Sequence, residues 1–372
     1  IAERIVRRLG LDPATAGDVV FLVGAHLEMS QLSQQRDVTE PGLAEAFARR
    51  MGTLDRLNQL MLLTYADHRG VGPGIWNDWK ASLLWSLYGR ARPHLPGGER
   101  RRKARHGEAA REGARAALEA EFPSSQVDDH FAQMPARYLG TTDAARMTRH
   151  FRLIQGLGES AALADWQDVE GGGVTELTVV ALDRPGLFAS LAGTLTAHGL
   201  DILSVDVFTR RDGRALDTFR VTELQAHQPV KAERRERIGR ALVEAAEGTV
   251  DVEAAVDRWR SKLRRPRKLW GRAVKEPRVR FDLEASSTAT VVEVRAPDQP
   301  GLAYTLAHTL SGLGLDLRFA RIATEKALAL DVFYVTDAEG RKLAPEARAG
   351  VEEALLSALQ AKSGRDSRKE EA

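Results

Sequence analysis

The feature that most constrains this chain is an internal repeat in its second half. Residues 179–187 resemble residues 294–302, and both stretches contain Asp-x-Pro-Gly followed by leucine. A Gly-Leu-Asp tripeptide follows in each copy, beginning at Gly199 and at Gly314, which is the same offset of 115 positions. Such a repeat indicates two copies of one supersecondary unit, each burying an apolar face. The C-terminal half is therefore predicted to hold two similar modules.

The hydrophobic pattern predicts how each module folds. In the first copy, alternating or apolar strands surround an apolar helix, and Asp212-Gly213 marks a tight hairpin. A helix comes next, and the last segment is predicted either as a final strand or as the start of another helix. The predicted segments are strand 176–182, turn 183–186, helix 187–198, strands 202–209 and 215–222, helix 233–247 and segment 250–256.

The repeated Asp-x-Pro-Gly-Leu pattern is similar to the ACT domain, a ferredoxin-like βαββαβ module that commonly binds amino acids. Proline fixes φ where the chain leaves the first strand, and glycine lets a ligand approach the amides at a helix N-terminus. The aspartate either holds the ligand's ammonium group or caps the turn, and the whole pattern is also compatible with a plain strand-to-helix turn. The amino-acid-binding residues implied are Asp183, Pro185, Gly186, Leu187, Asp298, Pro300, Gly301 and Leu302.

Residues 1–165 are predicted to be helical, because apolar residues recur there at helical spacing. A stripe of Trp76, Trp79 and Tyr88 is interpreted as core. The stretch 257–285 is strongly basic, and we interpret it as a solvated linker. A nucleic-acid patch is the weaker alternative, since few aromatic side chains interrupt the charges.

Composition excludes several classes of protein. The chain has 372 residues with a formal net charge of +2, so no global basic field attracts nucleic acid. It contains no cysteine, which excludes disulfides and thiolate zinc sites and is typical of a reducing cytoplasm. No apolar run approaches the roughly 20 residues of a membrane span, and the N-terminus lacks a signal peptide. We therefore expect a cytoplasmic protein with neither nucleic acid nor membrane as a partner.

Several short motifs in the helical half occur in a distinctive order. They are 26–30 (His-Leu-Glu-Met-Ser), 34–37, 62–67, 72–73, 76–77, 79–80, 83–84 and 87–88. Together with two ACT modules, this order resembles the bifunctional PII uridylyltransferase/uridylyl-removing enzymes of bacterial nitrogen regulation. The resemblance implies a nucleotidyltransferase that transfers UMP from UTP to the PII signalling protein, and an HD-type hydrolase, dependent on Mg²⁺ or Mn²⁺, that removes it. It further implies that the ACT pair senses glutamine.

The departures from this family pattern are as informative as the match. The sequence has no Gly-Ser followed by Asp-x-Asp and no adjacent His-Asp pair, so the helical half is predicted to be the later part of an HD-type domain. The resemblance implies that His26 and Asp67 face its metal, with Arg36 and Lys80 as candidate phosphate contacts. Ordinary alternatives are a core histidine, a capping aspartate and surface ion pairs. Two ligands do not hold a metal, so we expect this chain alone to lack transferase activity and a complete hydrolase site.

These observations predict an α+β multidomain protein. Its parts are a helical region at 1–165, a first ACT domain at 174–256, the basic linker at 257–285, a second ACT domain at 286–364 and a charged tail at 365–372. The favoured function is the C-terminal portion of the bifunctional enzyme described above. The alternative is a non-enzymatic regulatory protein that senses an amino acid through tandem ACT domains.

Overall fold

The chain divides into two compact units, Ile1–Lys103 and Ala104–Ala372. The computed structural model describes residues 1–40, 42–71, 76, 78–97, 104–169, 173–224, 226, 228–263, 276–325 and 328–367. The predicted fold class is confirmed, because a helical N-terminal part precedes an antiparallel sheet with helices.

Every regular element in the described residues of the first unit is a helix. Asp12 starts the second helix, since its side chain accepts hydrogen bonds from the amides of Ala14 and Thr15, and Pro13 occupies the first turn. The fourth helix ends at Gly52, whose φ of 74° favours glycine. The elements are α1 (Ala2–Arg8), α2 (Pro13–Ala25), α3 (Glu28–Gln35), α4 (Leu43–Met51), α5 (Leu54–Val71), α6 (Asp78–Ala91) and a 3₁₀ turn (Arg92–His94).

This unit has its own apolar core. Met29, Leu57 and Leu84 are fully buried in it, and Trp76 and Tyr88 pack against it. The Tyr88 hydroxyl donates a hydrogen bond to Asn58 Oδ1 at 2.7 Å, which satisfies its polar end. The core assignment of Trp76 and Tyr88 is thus confirmed, whereas the side chain of Trp79 lies outside the described residues.

The second unit begins with four helices that cover one face of the sheet described next. Tyr138 and Phe151 from these helices are buried against Phe208 and Leu216 of the sheet. The helices are α7 (Ala104–Glu119), α8 (Ser124–Gln133), α9 (Ala136–Thr141) and α10 (Ala144–Gly156).

An eight-stranded antiparallel sheet contains both modules of the repeat. Its order is β1-β2-β4-β3-β7-β8-β6-β5, so the second module repeats the strand order of the first in reverse about a central seam. At the seam, Ser204, Val205 and Asp206 pair with Arg321, Ala320 and Phe319. The strands are β1 (Ala162–Asp168), β2 (Thr175–Leu182), β3 (Leu200–Thr209), β4 (Arg214–Glu223), β5 (Arg278–Asp282), β6 (Thr290–Pro297), β7 (Asp316–Glu325) and β8 (Leu328–Thr336).

Five helices accompany the strands of the two modules. One continuous core runs beneath both modules, with Leu191 and Phe219 in the first and Leu306 and Phe333 in the second. The alternation of strand side chains separates this core from the one on the opposite face. The helices are α11 (Leu187–Ala197), α12 (Ala232–Glu247), α13 (Val252–Lys262), α14 (Leu302–Gly312) and α15 (Pro345–Ser367).

Each module differs from the predicted βαββαβ order in the origin of one strand. The outer strand is the first strand of the module, as β1 or β5, rather than the last. The segment 250–256 is therefore no strand: it contains the start of α13, where Asp251 Oδ1 accepts the amide of Ala254 at 2.9 Å. The prediction missed β1 because its alternation, with Ala164 and Trp166 on the core face, is carried mainly by alanine.

The domain boundaries in the structure therefore differ from the predicted ones. The helical region stops before 162 rather than at 165, and the first module starts there instead of at 174. The interpretation of 257–285 as a solvated linker is wrong at both ends, because α13 continues to Lys262 and β5 begins at Arg278. The basic residues Arg264, Arg265, Arg267 and Lys268 lie outside the described residues.

Candidate functional site

The first Asp-x-Pro-Gly-Leu loop connects β2 to α11 in a conformation that requires glycine. Gly186 has a φ of 80° and stands at the N-cap of α11. The side chain of Asp183 accepts a hydrogen bond from Thr209 Oγ1 at 3.1 Å, and its amide bonds the carbonyl of Gly213 at 2.8 Å. These contacts favour a structural role for Asp183, because they fasten the loop to the β3–β4 hairpin.

An open pocket of about 490 Å³ lies beside this loop. This volume falls within the range of about 300–1,000 Å³ that is usual for small-molecule sites. The walls come from both modules, since the loop and α11 belong to the first module and α14 to the second. The lining residues are Arg184, Pro185, Gly186, Ala189, Ser190, Gly248, Val250, Asp251, Val252, Glu253, Tyr304, His308, Ser311 and Gly312.

The pocket is lined both by groups that attract an anion and by groups that attract a cation. The N-terminus of α11 carries the positive end of a helix dipole, and Arg184 also lines the pocket. Asp251 and Glu253 line the same pocket and supply negative charge. Burial, followed by the nearby charge of Glu253, raises the pKa of Tyr304 to about 12, so this phenol stays protonated and can donate a hydrogen bond.

Arg184 also holds part of the pocket wall in place. Its Nη2 donates to the carbonyl of Ala245 at 2.7 Å, and its Nε donates to the carbonyl of Ala246 at 3.0 Å. These carbonyls are at the C-terminal end of α12, which stops at Gly248 with a φ of 74°. The arginine therefore joins the loop to the start of the segment that carries Asp251.

The second loop has the same backbone but a different environment. Gly301 has a φ of 76° at the N-cap of α14. A Cβ at this position would be 2.7 Å from Arg260 Nη2 and 2.9 Å from Thr196 Cγ2. At Gly186 the nearest side-chain atom is Ser311 Oγ, at 3.9 Å. The space expected for a ligand is thus open at the first loop and filled at the second.

The remaining predicted loop residues are divided between the core and the surface. Leu187 and Leu302 are buried in the core beneath the sheet, where they anchor the helices. Pro185 and Pro300 are exposed, as is Asp298. Of the predicted amino-acid-binding residues, Pro185 and Gly186 line the pocket.

Sequence reasoning missed most of the pocket. Asp251 and Glu253 are in a segment whose strand or helix character the pattern left open. Tyr304, His308 and Ser311 belong to the other copy of the repeat. Motif analysis along one copy gives no sign of a wall contributed by the other. The pairing of the two modules through β3 and β7 was the missing information.

In the helical unit, His26 and Asp67 were the predicted metal ligands. His26 is half-buried at the end of α2, and its Nδ1 donates to the carbonyl of Val23 at 2.8 Å. Asp67 is half-buried on α5. Arg36 follows α3, and Lys80 lies on α6; both are half-buried and both have polar or electrostatic partners.

A buried polar cluster beside these residues was not predicted. His68 is 8% exposed, and its Nε2 lies 2.9 Å from Ser30 Oγ. Gln34 Nε2 donates to the same hydroxyl at 2.6 Å. The sequence shows only a histidine next to Asp67, and its burial depends on the packing of α5 against α3.

The described residues do not provide a divalent-metal centre. Nowhere in the part of the chain that the structure describes do three or more histidine, aspartate, glutamate or cysteine side chains form a group able to hold a metal ion. A bound metal that activates water needs at least three protein ligands.

Comparison with known proteins agrees with this architecture. The family model described as the ACT domain matches residues 175–238, which span most of the first module. A protein of Rhodopseudomonas palustris named bifunctional uridylyltransferase/uridylyl-removing enzyme is 36% identical over 364 residues. Proteins of the same name from Bradyrhizobium diazoefficiens and Gluconobacter oxydans are 36% and 35% identical. The chain is homologous to part of the bifunctional uridylyltransferase/uridylyl-removing enzymes.

The match to this enzyme family confirms the resemblance inferred from the helical motifs and the repeat. It covers 96% of this chain but 39% of the Rhodopseudomonas protein and 38% of the Bradyrhizobium protein. The chain therefore spans less than two-fifths of the length of these relatives. Among the described residues, none of the helices has both the length and the apolar character that a membrane crossing requires.

Proposed function

We propose that this chain is the regulatory C-terminal portion of a bifunctional uridylyltransferase/uridylyl-removing enzyme and that it binds a free amino acid. The observation that carries the proposal is the pocket at the first loop, which is lined by a helix N-terminus and Arg184 together with Asp251 and Glu253. A zwitterionic amino acid needs this pairing, with cationic or amide groups for its carboxylate and carboxylates for its ammonium. His308 and Ser311 then lie where polar side-chain atoms of the ligand would be recognised.

Glutamine is the effector that we propose. The relatives are enzymes that add and remove uridylyl groups, and the resemblance assigns glutamine sensing to their ACT pair. In the complete enzyme, glutamine would shift the balance toward removal of UMP from the PII signalling protein, by coupling between distinct sites. The proposal includes UTP as the uridylyl donor, Mg²⁺ or Mn²⁺ as the cofactor and the cytoplasm as the location.

The helical unit contributes less to this proposal. His26 and Asp67 remain candidate ligands for the metal of the uridylyl-removing site, with other ligands that the described residues do not supply. Arg36 and Lys80 remain candidate phosphate contacts there. Support for this assignment comes from the family relationship and not from a metal-binding geometry.

Calorimetric titration of the full chain with glutamine, glutamate and asparagine tests the ligand proposal. We expect glutamine to bind with the highest affinity. Ser311→Trp, which fills the space facing Gly186, should abolish binding, whereas Ser311→Ala, which removes one hydroxyl and adds no bulk, should weaken binding without abolishing it. Glu253→Gln should weaken binding about tenfold or more, since a hydrogen bond to a charged group contributes roughly 1.5–3 kcal/mol.

The matched control for the charge is Glu244→Gln, which changes an exposed carboxylate on α12 outside the pocket lining. Its affinity for glutamine should equal that of the unchanged chain. The proposal fails if none of the three amino acids binds to the folded chain, or if Ser311→Trp binds as well as the unchanged chain.

A further inference from the structure

The two loops of the repeat have pseudo-equivalent neighbours, and one residue breaks the equivalence. Gly186 faces Ser311 of the other module, and Gly301 faces Thr196. Thr196 and Ser311 are 115 positions apart, the same spacing that separates the two glycines. The additional group at the second loop is the side chain of Arg260, which approaches from α13.

The guanidinium of Arg260 is bound by three oxygen atoms of the second loop and the first turn of α14. Its Nε donates to the carbonyl of Pro300 at 3.1 Å. Its Nη2 donates to the carbonyl of Gly301 at 2.9 Å and to Thr305 Oγ1 at 3.0 Å. These acceptors match the planar donor fork of a guanidinium, which an ammonium cannot reproduce.

The Arg260 side chain is largely withdrawn from solvent. It retains 20% exposure, and its Nη1 lies 3.5 Å from Asp257 Oδ1. Burial lowers the pKa of this arginine below its ordinary value, which is the cost of placing a cation there. Such a position differs from the solvated basic linker to which the sequence assigned it, because its donors are directed at backbone and hydroxyl oxygens.

Helix α13 spans the distance between the two loops. Its first residues, with Asp251 and Glu253, form a wall of the first pocket. Arg260 lies seven residues beyond Glu253, which corresponds to roughly 10 Å along a helix axis. The same helix therefore borders the open pocket at one end and fills the equivalent space at the other.

We propose that the second loop, Pro300–Gly301 with Thr305, is a guanidinium-binding site that the chain occupies with its own Arg260, and that this contact closes the second of two pseudo-equivalent amino-acid pockets. The closure rests on the proposed function, whereas the guanidinium site does not. One amino-acid ligand then binds per chain, at the first loop.

Thermal unfolding of full-length Arg260→Ala with and without ethylguanidinium tests the guanidinium site. We expect Arg260→Ala to unfold at a lower temperature than the unchanged chain, and ethylguanidinium to recover part of the loss. Ethylammonium, a cation without the planar fork, should not. The matched control is Arg258→Ala, an exposed arginine on the same helix, which should not respond to ethylguanidinium. An equal response of the two variants overturns the site.

A second measurement covers the case in which Arg260→Ala does not fold. In the unchanged chain labelled with ¹⁵N-arginine, the Nε–H of Arg260 should exchange with solvent more slowly than that of Arg258, because Pro300 accepts it. Arg260→Lys should remove this protected signal. If no protected signal disappears in Arg260→Lys, the proposed contact does not exist.

Calorimetric stoichiometry with glutamine tests the closure. The unchanged chain should bind one molecule, and Arg260→Ala should bind two. If both bind one, closure is overturned while the guanidinium site can still be supported by its own experiment. If the unchanged chain binds none, the proposed function fails at the first pocket, and the ethylguanidinium result still decides the guanidinium site.

Discussion

Two buried aspartates occupy equivalent positions of the repeat and face the core beneath the helices. Asp217 on β4 and Asp331 on β8 are each 1% exposed. Burial raises the pKa of both well above the ordinary value of 3.8, and nearby carboxylates add to the effect, Asp183 for the first and Asp298 and Asp201 for the second. Each module therefore contains one acid that is stabilised in its protonated form.

This burial predicts a pH-dependent stability with a definite sign. A folded-state pKa above the unfolded value means that the contribution of Asp331 to stability is complete below pH 3.8 and is lost as the pH rises through the folded-state pKa. Asp331→Asn keeps the shape but cannot ionise. The variant should equal the unchanged chain at low pH and become more stable as the pH rises, by about 1.4 kcal/mol for each pKa unit separating the two states. Denaturant unfolding at a series of pH values measures this.

Asp337→Asn provides a control of opposite sign. Hydrogen bonds from the amide and side chain of Arg341 lower the pKa of Asp337, so its contribution is present above pH 3.8 and lost below it. This variant should be less stable than the unchanged chain at neutral pH. If Asp331→Asn behaves in the same way, its carboxyl group is not held protonated by burial.

At the scale of elements, the sequence predicted the hairpin and the helices of the first module closely. Asp212-Gly213 marks a real turn, with φ of 79° at Gly213, and α12 begins within one residue of the prediction. Such elements depend on local signals, namely turn chemistry and periodicity. The pairing of β1 and the position of Arg260 depend on contacts between distant parts of the chain. They could therefore not be predicted from local sequence patterns. The contribution of α14 to the pocket wall could not be predicted for the same reason.

The seam between the modules is short, and Arg137 on α9 reinforces it. Its Nη2 donates to Asp206 Oδ1 of β3 at 3.3 Å, and its guanidinium carbon lies 5.0 Å from the ring centre of Phe208 and 5.7 Å from that of Phe319 on β7. Although burial opposes its ionisation, Arg220 and Arg137 hold the pKa of Asp206 below its ordinary value. Helix α9 thus contacts both strands of the seam, β3 and β7.

Arg137→Ala is therefore expected to weaken the seam. The loss should be about 1–3 kcal/mol, less than for a fully broken buried ion pair because Arg220 still neutralises Asp206. Amide exchange at 204–206 and 319–321 should increase more than exchange in β1 and β2. Arg152→Ala removes an exposed pair with Glu121 and should cost at most about 1 kcal/mol. Uniform acceleration across the sheet, with no preference for the seam, would contradict this role.

In the molecule as a whole, each apolar core formed by the described residues belongs to one of the two units. The core of the helical unit draws on residues 21–95, and the cores of the second unit draw on residues 110–359. A unit with its own core can fold alone. The boundary at 103 differs from the predicted one at 165, because α7–α10 complete the core on one face of the first module, over Val180, Phe208 and Leu216.

Two fragments distinguish these boundaries. Residues 104–372 should unfold cooperatively and bind glutamine as the full chain does, since every residue lining the pocket lies within this fragment. Residues 166–372, cut at the boundary that the sequence suggested, should aggregate or lose cooperative unfolding, because removing α7–α10 and half of β1 exposes a contiguous apolar face. Circular dichroism, denaturant unfolding and calorimetry on both fragments measure this. If the two fragments are equally stable, α7–α10 are not needed for the sheet to fold. If 104–372 fails to fold, the second unit depends on residues 1–103 for its stability.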